Sequence, residues 1–135
     1  MTIQKWILLA DDDADDSQML EEAITAISPV AKVKVFSDGR QVVRFLDDPA
    51  NQDLPCTIVL DYNMPYLTGL QVLEKIRDYP LYKHIPKLIW STSDYSEYRD
   101  ACLGKGATAY MVKPRTEKDL TLLAKKIIGH CTAGK

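Results

Sequence analysis

Aspartates, a serine and a lysine follow directly on short apolar segments of the chain. The pairs are WILLA with Asp11 and Asp12, TIVL with Asp61, KLIW with Ser91, and AYMV with Lys113. If these segments are strands of one parallel sheet, their carboxyl ends lie along one edge, where such sheets bind ligands. Clustered carboxylates, a lysine and a hydroxyl suit the chemistry of a phosphoryl group. A divalent cation and the ammonium offset its charge while one carboxylate attacks it.

The three aspartates are expected to have different roles in that chemistry. Asp11 and Asp12 are placed to hold a metal ion, which leaves Asp61 as the predicted nucleophile. Carboxylates this close together repel one another, so their pKa values rise unless a cation lies among them. Oxygen ligands without histidine or cysteine favour Mg²⁺, or a similar ion such as Mn²⁺, that keeps some of its waters. Lys113 can supply a positive charge and Ser91 a hydrogen-bond donor.

The hydrophobic pattern alternates between strand-like and helix-like segments. Strands are predicted at 5–10, 32–36, 56–60, 87–90 and 109–112, and helices at 14–27, 39–47, 68–78, 96–103 and 117–128. Because the strand segments are largely apolar, the pattern predicts a doubly wound α/β fold, in which helices cover both faces of a five-stranded parallel sheet. If the strand order is 2-1-3-4-5, the strands that precede Asp11 and Asp61 are neighbours.

Length and composition predict one domain of ordinary globular character. The chain has 135 residues and a formal net charge of −2, so we expect a single domain spanning 1–135. This charge gives no broad basic surface for nucleic acid, and no apolar segment is long enough to cross a membrane. Cys56, Cys102 and Cys131 are too widely spaced for a disulfide framework or a metal cluster. Reduced thiols and a cytoplasmic location are therefore expected.

The run DDDADD, residues 11–16, offers more carboxylates than a metal site needs. Asp13, Asp15 and Asp16 are expected to be the N-cap and first-turn acids of the first helix, near the positive end of its dipole. An EF-hand loop beginning at Asp11 is disfavoured, because its sixth position needs glycine and holds Asp16. The preceding segment is also typical of a strand rather than of the helix that an EF-hand requires.

Four elements of the chain occur together and in the same order in a known family. They are ILLADDD, VLDYNMP followed by TGLQVLEKIR, IPKLIWSTS, and GATAYMVKP. Over residues 5–128 the chain resembles the receiver domain of the bacterial response-regulator family, which includes the chemotaxis regulators. It is most similar to the small single-domain receivers associated with bacterial phytochromes. The resemblance implies a flavodoxin-like (βα)5 three-layer sandwich, and the strand order 2-1-3-4-5 is the family's own, not an independent deduction.

The resemblance assigns the acidic residues one by one. It implies that Asp61 is the phosphoacceptor and that Asp11 and Asp12 are the acidic pair that binds the metal. The backbone carbonyl of Asn63 would complete the metal ligands that the protein supplies.

The resemblance also assigns residues that respond to the phosphoryl group. Ser91 occupies the hydroxyl position, Tyr110 the aromatic switch position, and Lys113 that of the phosphate-binding lysine. The bond between Lys113 and Pro114 is expected to be cis, as it usually is in the family. Thr68 stands where the family often has aspartate, and threonine can still cap the third helix.

These assignments imply a phosphoacceptor domain of two-component signal transduction rather than an enzyme. Asp61 would accept a phosphoryl group from a histidine kinase or a phosphotransfer protein in a Mg²⁺-dependent step, and the domain would assist this transfer and its own dephosphorylation. Phosphorylation would switch the face formed by the fourth helix, the fifth strand and the fifth helix. That face would bind a downstream protein target or a second copy of the chain. No output domain, nucleic-acid partner or membrane partner is expected.

One alternative function stays open, a receiver-like interaction module that works without phosphorylation. Such modules usually lack a residue of the acidic pair, the acceptor or the lysine, and all of these are present here. An aspartyl phosphatase is disfavoured because its nucleophile would follow the first strand, whereas Asp61 follows the third. Trp90, Tyr95 and Tyr98 near the fourth helix fit either a partner surface or simple packing.

Overall fold

Five strands and five α-helices alternate along residues 6–50 and 53–133, the parts of the chain that the computed structural model describes. The strands are β1 Trp6–Ala10, β2 Lys32–Phe36, β3 Thr57–Asp61, β4 Lys87–Ser91 and β5 Ala109–Val112. The helices are α1 Ala14–Ile27, α2 Gly39–Asp47, α3 Gly69–Ile76, α4 Ser96–Gly104 and α5 Glu117–Ala133, with a 3-10 turn at Pro80–Tyr82. All the predicted elements are confirmed, although position 5 of the first predicted strand lies outside the described residues.

The strands form one parallel sheet in the order β2-β1-β3-β4-β5, which confirms the predicted fold. Ala10 pairs with Leu60, and Ser91 pairs with Val112. Asp11 directly follows Ala10 and Asp61 directly follows Leu60, so the two aspartates are neighbours across the sheet. The register therefore brings the polar residues at the ends of four strands to the same edge of the sheet, which we call the carboxyl edge.

Two helical layers cover the sheet because the strand side chains alternate between its faces. In β1, Leu8 packs with α2 and α3, whereas Leu9 packs with α1 and α5. β1, β3 and β4 are buried along their whole length, which explains their continuous apolar sequences. The edge strand β2 instead exposes Lys32 and Lys34, charges that discourage pairing with another chain.

Side-chain caps fix the starts of the two helices that flank the carboxyl edge. Asp13 accepts hydrogen bonds from the backbone N–H groups of Asp15 and Asp16, at 2.9 and 3.1 Å. Thr68 and Gln71 form a reciprocal capping box at the start of α3. Both caps were predicted from the sequence. None of the described helices is long and apolar enough to cross a bilayer.

The cysteines and the end of α5 differ from the predictions. Cys56 and Cys131 form a disulfide with a Cα–Cα distance of 4.9 Å, so the expectation of reduced thiols is wrong for this pair. Their sequence separation is 75 residues, and they meet only because α5 packs back toward the start of β3. This anchor lies in the last turns of α5, which continues to Ala133 rather than ending at 128. Cys102 is free and buried.

Candidate functional site

Three carboxylates meet at the carboxyl edge of the sheet. Asp61 is the last residue of β3, and Asp11 and Asp12 follow β1. One oxygen from each of the three lies within 4.8 Å of the others. Asp11 and Asp61 are buried and Asp12 is exposed, so the cluster opens to solvent on one side. Oxygen donors at this spacing fit Mg²⁺ or Mn²⁺, ions that take a few carboxylates and retain waters.

The backbone around Asp61 is held by close packing against α3. A Cβ on Gly69 would stand 2.6 Å from the backbone oxygen of Asp61, so only glycine fits there. The Gly69 N–H donates to the carbonyl of Tyr62 at 2.9 Å. Asn63, whose carbonyl is the expected further metal ligand, donates its N–H to Asp61 Oδ1 at 3.4 Å.

Burial gives Asp61 an unusual protonation behaviour. Loss of solvent, together with the negative charge of Asp11, raises the pKa of Asp61 to about 7, although Lys113 acts in the opposite direction. At neutral pH a carboxyl group with this pKa is only partly ionised, and further positive charge nearby would shift it toward the anion. A divalent cation among the three carboxylates would supply that charge and keep Asp61 ionised.

Lys113 reaches the cluster from the end of β5. Its Nζ lies 2.8 Å from Asp11 Oδ2, 2.9 Å from Asp16 Oδ2 and 3.5 Å from Asp61 Oδ1. Burial lowers the pKa of Lys113, but the hydrogen bonds and negative charges of the aspartates outweigh it and leave the pKa above its ordinary value. The ammonium is therefore fully charged beside Asp61.

Ser91 and Tyr110, the predicted switch residues, are connected through Ser93. The Ser91 hydroxyl is fully buried and accepts a hydrogen bond from the Ser93 N–H at 3.1 Å. Tyr110 is buried as well, and its hydroxyl donates to the Ser93 carbonyl at 2.6 Å. A movement of Ser91 would therefore reach Tyr110 through one residue of the β4–α4 loop.

The peptide bond between Lys113 and Pro114 is trans, like every other peptide bond among the described residues. The prediction of a cis bond is therefore wrong. It rested only on the family resemblance, whereas the trans form is intrinsically favoured before proline by about 0.5–1 kcal/mol.

The aromatic residues near α4 separate into two environments. Trp90 is 2% exposed and belongs to the core beneath α1 and α5, so packing is the correct interpretation for it. Tyr98 stacks on Tyr62 with ring centroids 4.6 Å apart. Tyr95 packs edge-on against Tyr98 and remains 60% exposed, which leaves it available to a partner.

Lys113 contacts two residues that the sequence pattern does not assign to the site. Asp16 was assigned only to the first turn of α1, but its carboxylate pairs with the Lys113 ammonium. The Trp90 ring lies beneath the same ammonium, with Nζ 4.8 Å from the ring centroid. The available signal was that both positions lie near the carboxyl edge in the chain, one at the start of α1 and one at the end of β4.

Comparison with known proteins agrees with this geometry. Residues 7–125 match the response regulator receiver domain family. The chain belongs to this family. It is 30% identical to response regulator Rcp1 of Synechocystis sp. (strain ATCC 27184 / PCC 6803 / Kazusa) over 119 residues, which cover 86% of the chain and 81% of Rcp1. It is 28% identical to the two-component response regulator ORR5 of Oryza sativa subsp. japonica over 116 residues, 84% of each protein.

Two solved structures of response regulators superpose on more than nine-tenths of the chain. The Mn²⁺-bound form of Rcp1 has a TM-score of 0.80 at 28% identity, covering 93% of this chain and 92% of Rcp1. The phosphorylated cyanobacterial phytochrome response regulator RcpA has a TM-score of 0.88 at 26% identity, covering 98% of this chain and 97% of RcpA. The resemblance to small phytochrome-associated response regulators is thereby confirmed. The protein is a response regulator receiver domain of two-component systems.

Proposed function

We propose that this receiver domain is a phosphorylation-controlled switch whose acceptor is Asp61. The observation that carries the proposal is the cluster of Asp11, Asp12 and Asp61, with carboxylate oxygens within 4.8 Å of one another and the Lys113 ammonium beside them. The donor is a phosphohistidine of a sensor kinase or of a phosphotransfer protein. A carboxylate oxygen of Asp61 forms a bond to phosphorus, the bond from phosphorus to the imidazole nitrogen breaks, and the imidazole leaves with the electron pair.

The side chains around the acceptor stabilise the transferred group. Asp11, Asp12, Asp61 and the Asn63 carbonyl would hold Mg²⁺ or Mn²⁺, which supplies positive charge to the phosphoryl oxygens when bound. Lys113 offsets a further charge, and the Ser91 hydroxyl donates a hydrogen bond. The same residues assist later hydrolysis of the acyl phosphate, which resets the switch without making the domain an enzyme for an external substrate.

The output surface is the face of α4, β5 and α5. When Ser91 turns toward the phosphoryl group, its hydrogen bond with Ser93 is lost, and Tyr110, bound to the same residue, repacks. This face carries exposed apolar side chains at Tyr95, Val112 and Leu122. Phosphorylation changes its affinity for a downstream protein or for a second copy of the chain by shifting a two-state equilibrium. A cytoplasmic location, where the kinase would act, belongs to the same proposal.

The test is the intact mass of the protein after incubation with acetyl phosphate and Mg²⁺. The parent is expected to gain one labile phosphoryl group, and Asp61→Asn none. Asp38→Asn is the matched control, because Asp38 is also a buried aspartate but caps α2 and is not one of the three clustered carboxylates. It should be phosphorylated like the parent. EDTA should abolish the reaction.

The contrary results are equally specific. An adduct on Asp61→Asn would show that another residue is the acceptor. A parent that takes up no phosphoryl group from several small donors, with Mg²⁺ or Mn²⁺, would favour an interaction module that works unmodified.

A further inference from the structure

The Lys113 ammonium is bound by a carboxylate that belongs neither to the metal cluster nor to the acceptor. Asp16, in the first turn of α1, lies 2.9 Å from Lys113 Nζ through Oδ2. We infer that Asp16 is a positioning residue that holds Lys113 on the α1 side of the site, in competition with the phosphoryl group on Asp61. This inference rests on the proposed function, since it concerns the lysine that the phosphoryl group would engage.

The distances place Lys113 closer to Asp16 than to the acceptor. Nζ is hydrogen-bonded to Asp11 at 2.8 Å and to Asp16 at 2.9 Å, but it stands 3.5 Å from Asp61. Only 10% of the lysine side chain is exposed, so water does not replace these partners easily. In this position the two short contacts of the ammonium are with Asp11 and Asp16 rather than with the acceptor.

The position is defined on more than one side. The Trp90 ring face lies 4.8 Å from Nζ and provides a cation–π contact. The Asp16 backbone is fixed by the Asp13 cap, since its N–H donates to Asp13 Oδ1. Asp16 therefore presents its carboxylate from the capped start of a helix, and its side chain is 27% exposed.

A phosphoryl group on Asp61 would need a contact with the same ammonium. An ammonium has three N–H donors, and two are already directed to Asp11 and Asp16. Approach to the phosphoryl oxygens lengthens the contact with Asp16, and the negative charge of Asp16 also opposes the incoming anion. When only a fraction of the molecules has the lysine free to engage a ligand, the apparent affinity falls by that fraction. Asp16 would thus lower the stability of the phosphorylated state relative to the unmodified one.

The chain contains a matched control for this idea. Asp15 precedes Asp16 in the same helical turn, carries the same charge and is exposed, and Lys113 does not contact it in the described structure. Asp15→Asn and Asp16→Asn therefore remove the same charge at nearly the same distance from the helix end. Only the second removes a partner of Lys113.

The first experiment measures binding of beryllofluoride, a stable mimic of the phosphoryl group, at saturating Mg²⁺. Trp90 lies against Lys113, so tryptophan fluorescence can report the movement of the ammonium. We expect Asp16→Asn to bind beryllofluoride about fivefold more tightly than the parent, because a larger fraction of the lysine is free. Asp15→Asn should differ from the parent by less than about twofold, as expected for an exposed charge. Asp16→Glu, which restores a carboxylate, should return toward the parental affinity.

The second experiment needs neither metal nor phosphoryl group. Urea unfolding in EDTA is compared for the parent, Asp16→Asn, Lys113→Met and the double variant. Asp16→Asn should lower the unfolding midpoint when Lys113 is present and leave it unchanged when Met occupies position 113. Additive effects of the two substitutions would mean that Asp16 only stabilises α1, and the inference would be overturned.

The outcomes separate this inference from the proposed function. If the parent neither binds beryllofluoride nor accepts a phosphoryl group, the proposed function fails and the competition fails with it. If the parent does both, but Asp16→Asn and Asp15→Asn bind beryllofluoride equally, the function stands and only the role of Asp16 is wrong.

Discussion

Two largely buried lysines lie at opposite ends of the parallel strands, Lys87 at the amino ends and Lys113 at the carboxyl edge. Their surroundings shift their pKa values in opposite directions. Lys87, at the start of β4, is 4% exposed and donates to the carbonyls of Tyr82 and Ile85 at 2.5 and 3.0 Å. Burial among neutral groups lowers the pKa of Lys87. Lys113, at the carboxyl edge, lies among aspartates, and its pKa is raised.

The contrast distinguishes a structural lysine from one that can do chemistry. Lys87 donates to two backbone carbonyls beside the start of β4, so its hydrogen bonds are already used within the fold. Lys113 instead neutralises part of a carboxylate cluster whose charge is incompletely balanced. Substitutions at the amino ends of the strands, near Lys87, should mainly affect stability. Substitutions at the carboxyl edge should mainly affect phosphorylation.

The largest expected effect is the loss of phosphorylation in Lys113→Met. Removing a fixed positive charge from the site of developing anionic charge typically reduces the rate by about 10²–10³-fold. Lys87→Met should leave the rate per folded molecule within about twofold, because Lys87 lies at the amino ends of the strands. The measurement is the initial rate of adduct formation by intact mass with acetyl phosphate. Equal losses in the two variants would contradict the distinction between the two lysines.

Loss of the disulfide should have the next largest effect. The bond lies at the amino ends of the strands, as Lys87 does. It closes a loop with a sequence separation of 75 residues. Loss of this constraint on the unfolded chain in Cys131→Ala should lower the free energy of unfolding of the oxidised protein by about 3 kcal/mol. Urea unfolding with and without reductant measures it, and reductant should destabilise the parent but not the variant. A phosphorylation rate that fell with the disulfide would show that the two ends of the strands are coupled.

Local sequence patterns were sufficient to predict the helices and strands and to place the site at the carboxyl edge of the sheet. The apolar segments, the Asp13 cap and the Thr68 cap are local features, so their locations could be predicted. The position of Asp61 at a strand end then followed from the parallel sheet. The strand order came from the family resemblance, since nothing in the segments themselves specifies which strand pairs with which.

Contacts between distant side chains could not be predicted in the same way. The Cys56–Cys131 bond depends on how far α5 continues and how it packs against β3. The pairing of Asp16 with Lys113 depends on the rotation of α1 above the sheet, which the acidic run does not determine. For Trp90 the sequence left a partner surface and simple packing open, and the two-residue alternation of β4 directs it into the core beneath α1 and α5.

Gly69→Ala should have a smaller effect on stability, and its structural change should lie at the carboxyl edge. The added methyl group would meet the backbone oxygen of Asp61 at 2.6 Å, so the end of β3 must shift. Overpacking of this kind should lower the free energy of unfolding by roughly 2 kcal/mol and slow phosphorylation as well. Gly104→Ala is the control, because nothing lies within 4 Å of its added methyl group. A Gly69→Ala protein with parental stability and rate would show that the Asp61 backbone tolerates displacement.

The smallest expected effect is a pH-dependent stabilisation by Asp61→Asn in the absence of metal. The pKa of Asp61 is raised from 3.8 to about 7, chiefly by burial, so the folded state binds more protons than the unfolded state between these values. Stability of the parent must therefore fall as the pH rises through this window. Asparagine does not titrate, so the variant should gain on the order of 1–2 kcal/mol relative to the parent between pH 5 and pH 8. Urea unfolding in EDTA at both pH values measures this gain, and Mg²⁺ at pH 8 should reduce it by stabilising the parent. A gain of the same size at pH 5 and pH 8 would mean that Asp61 is already ionised without a cation, and that Lys113 alone balances its charge.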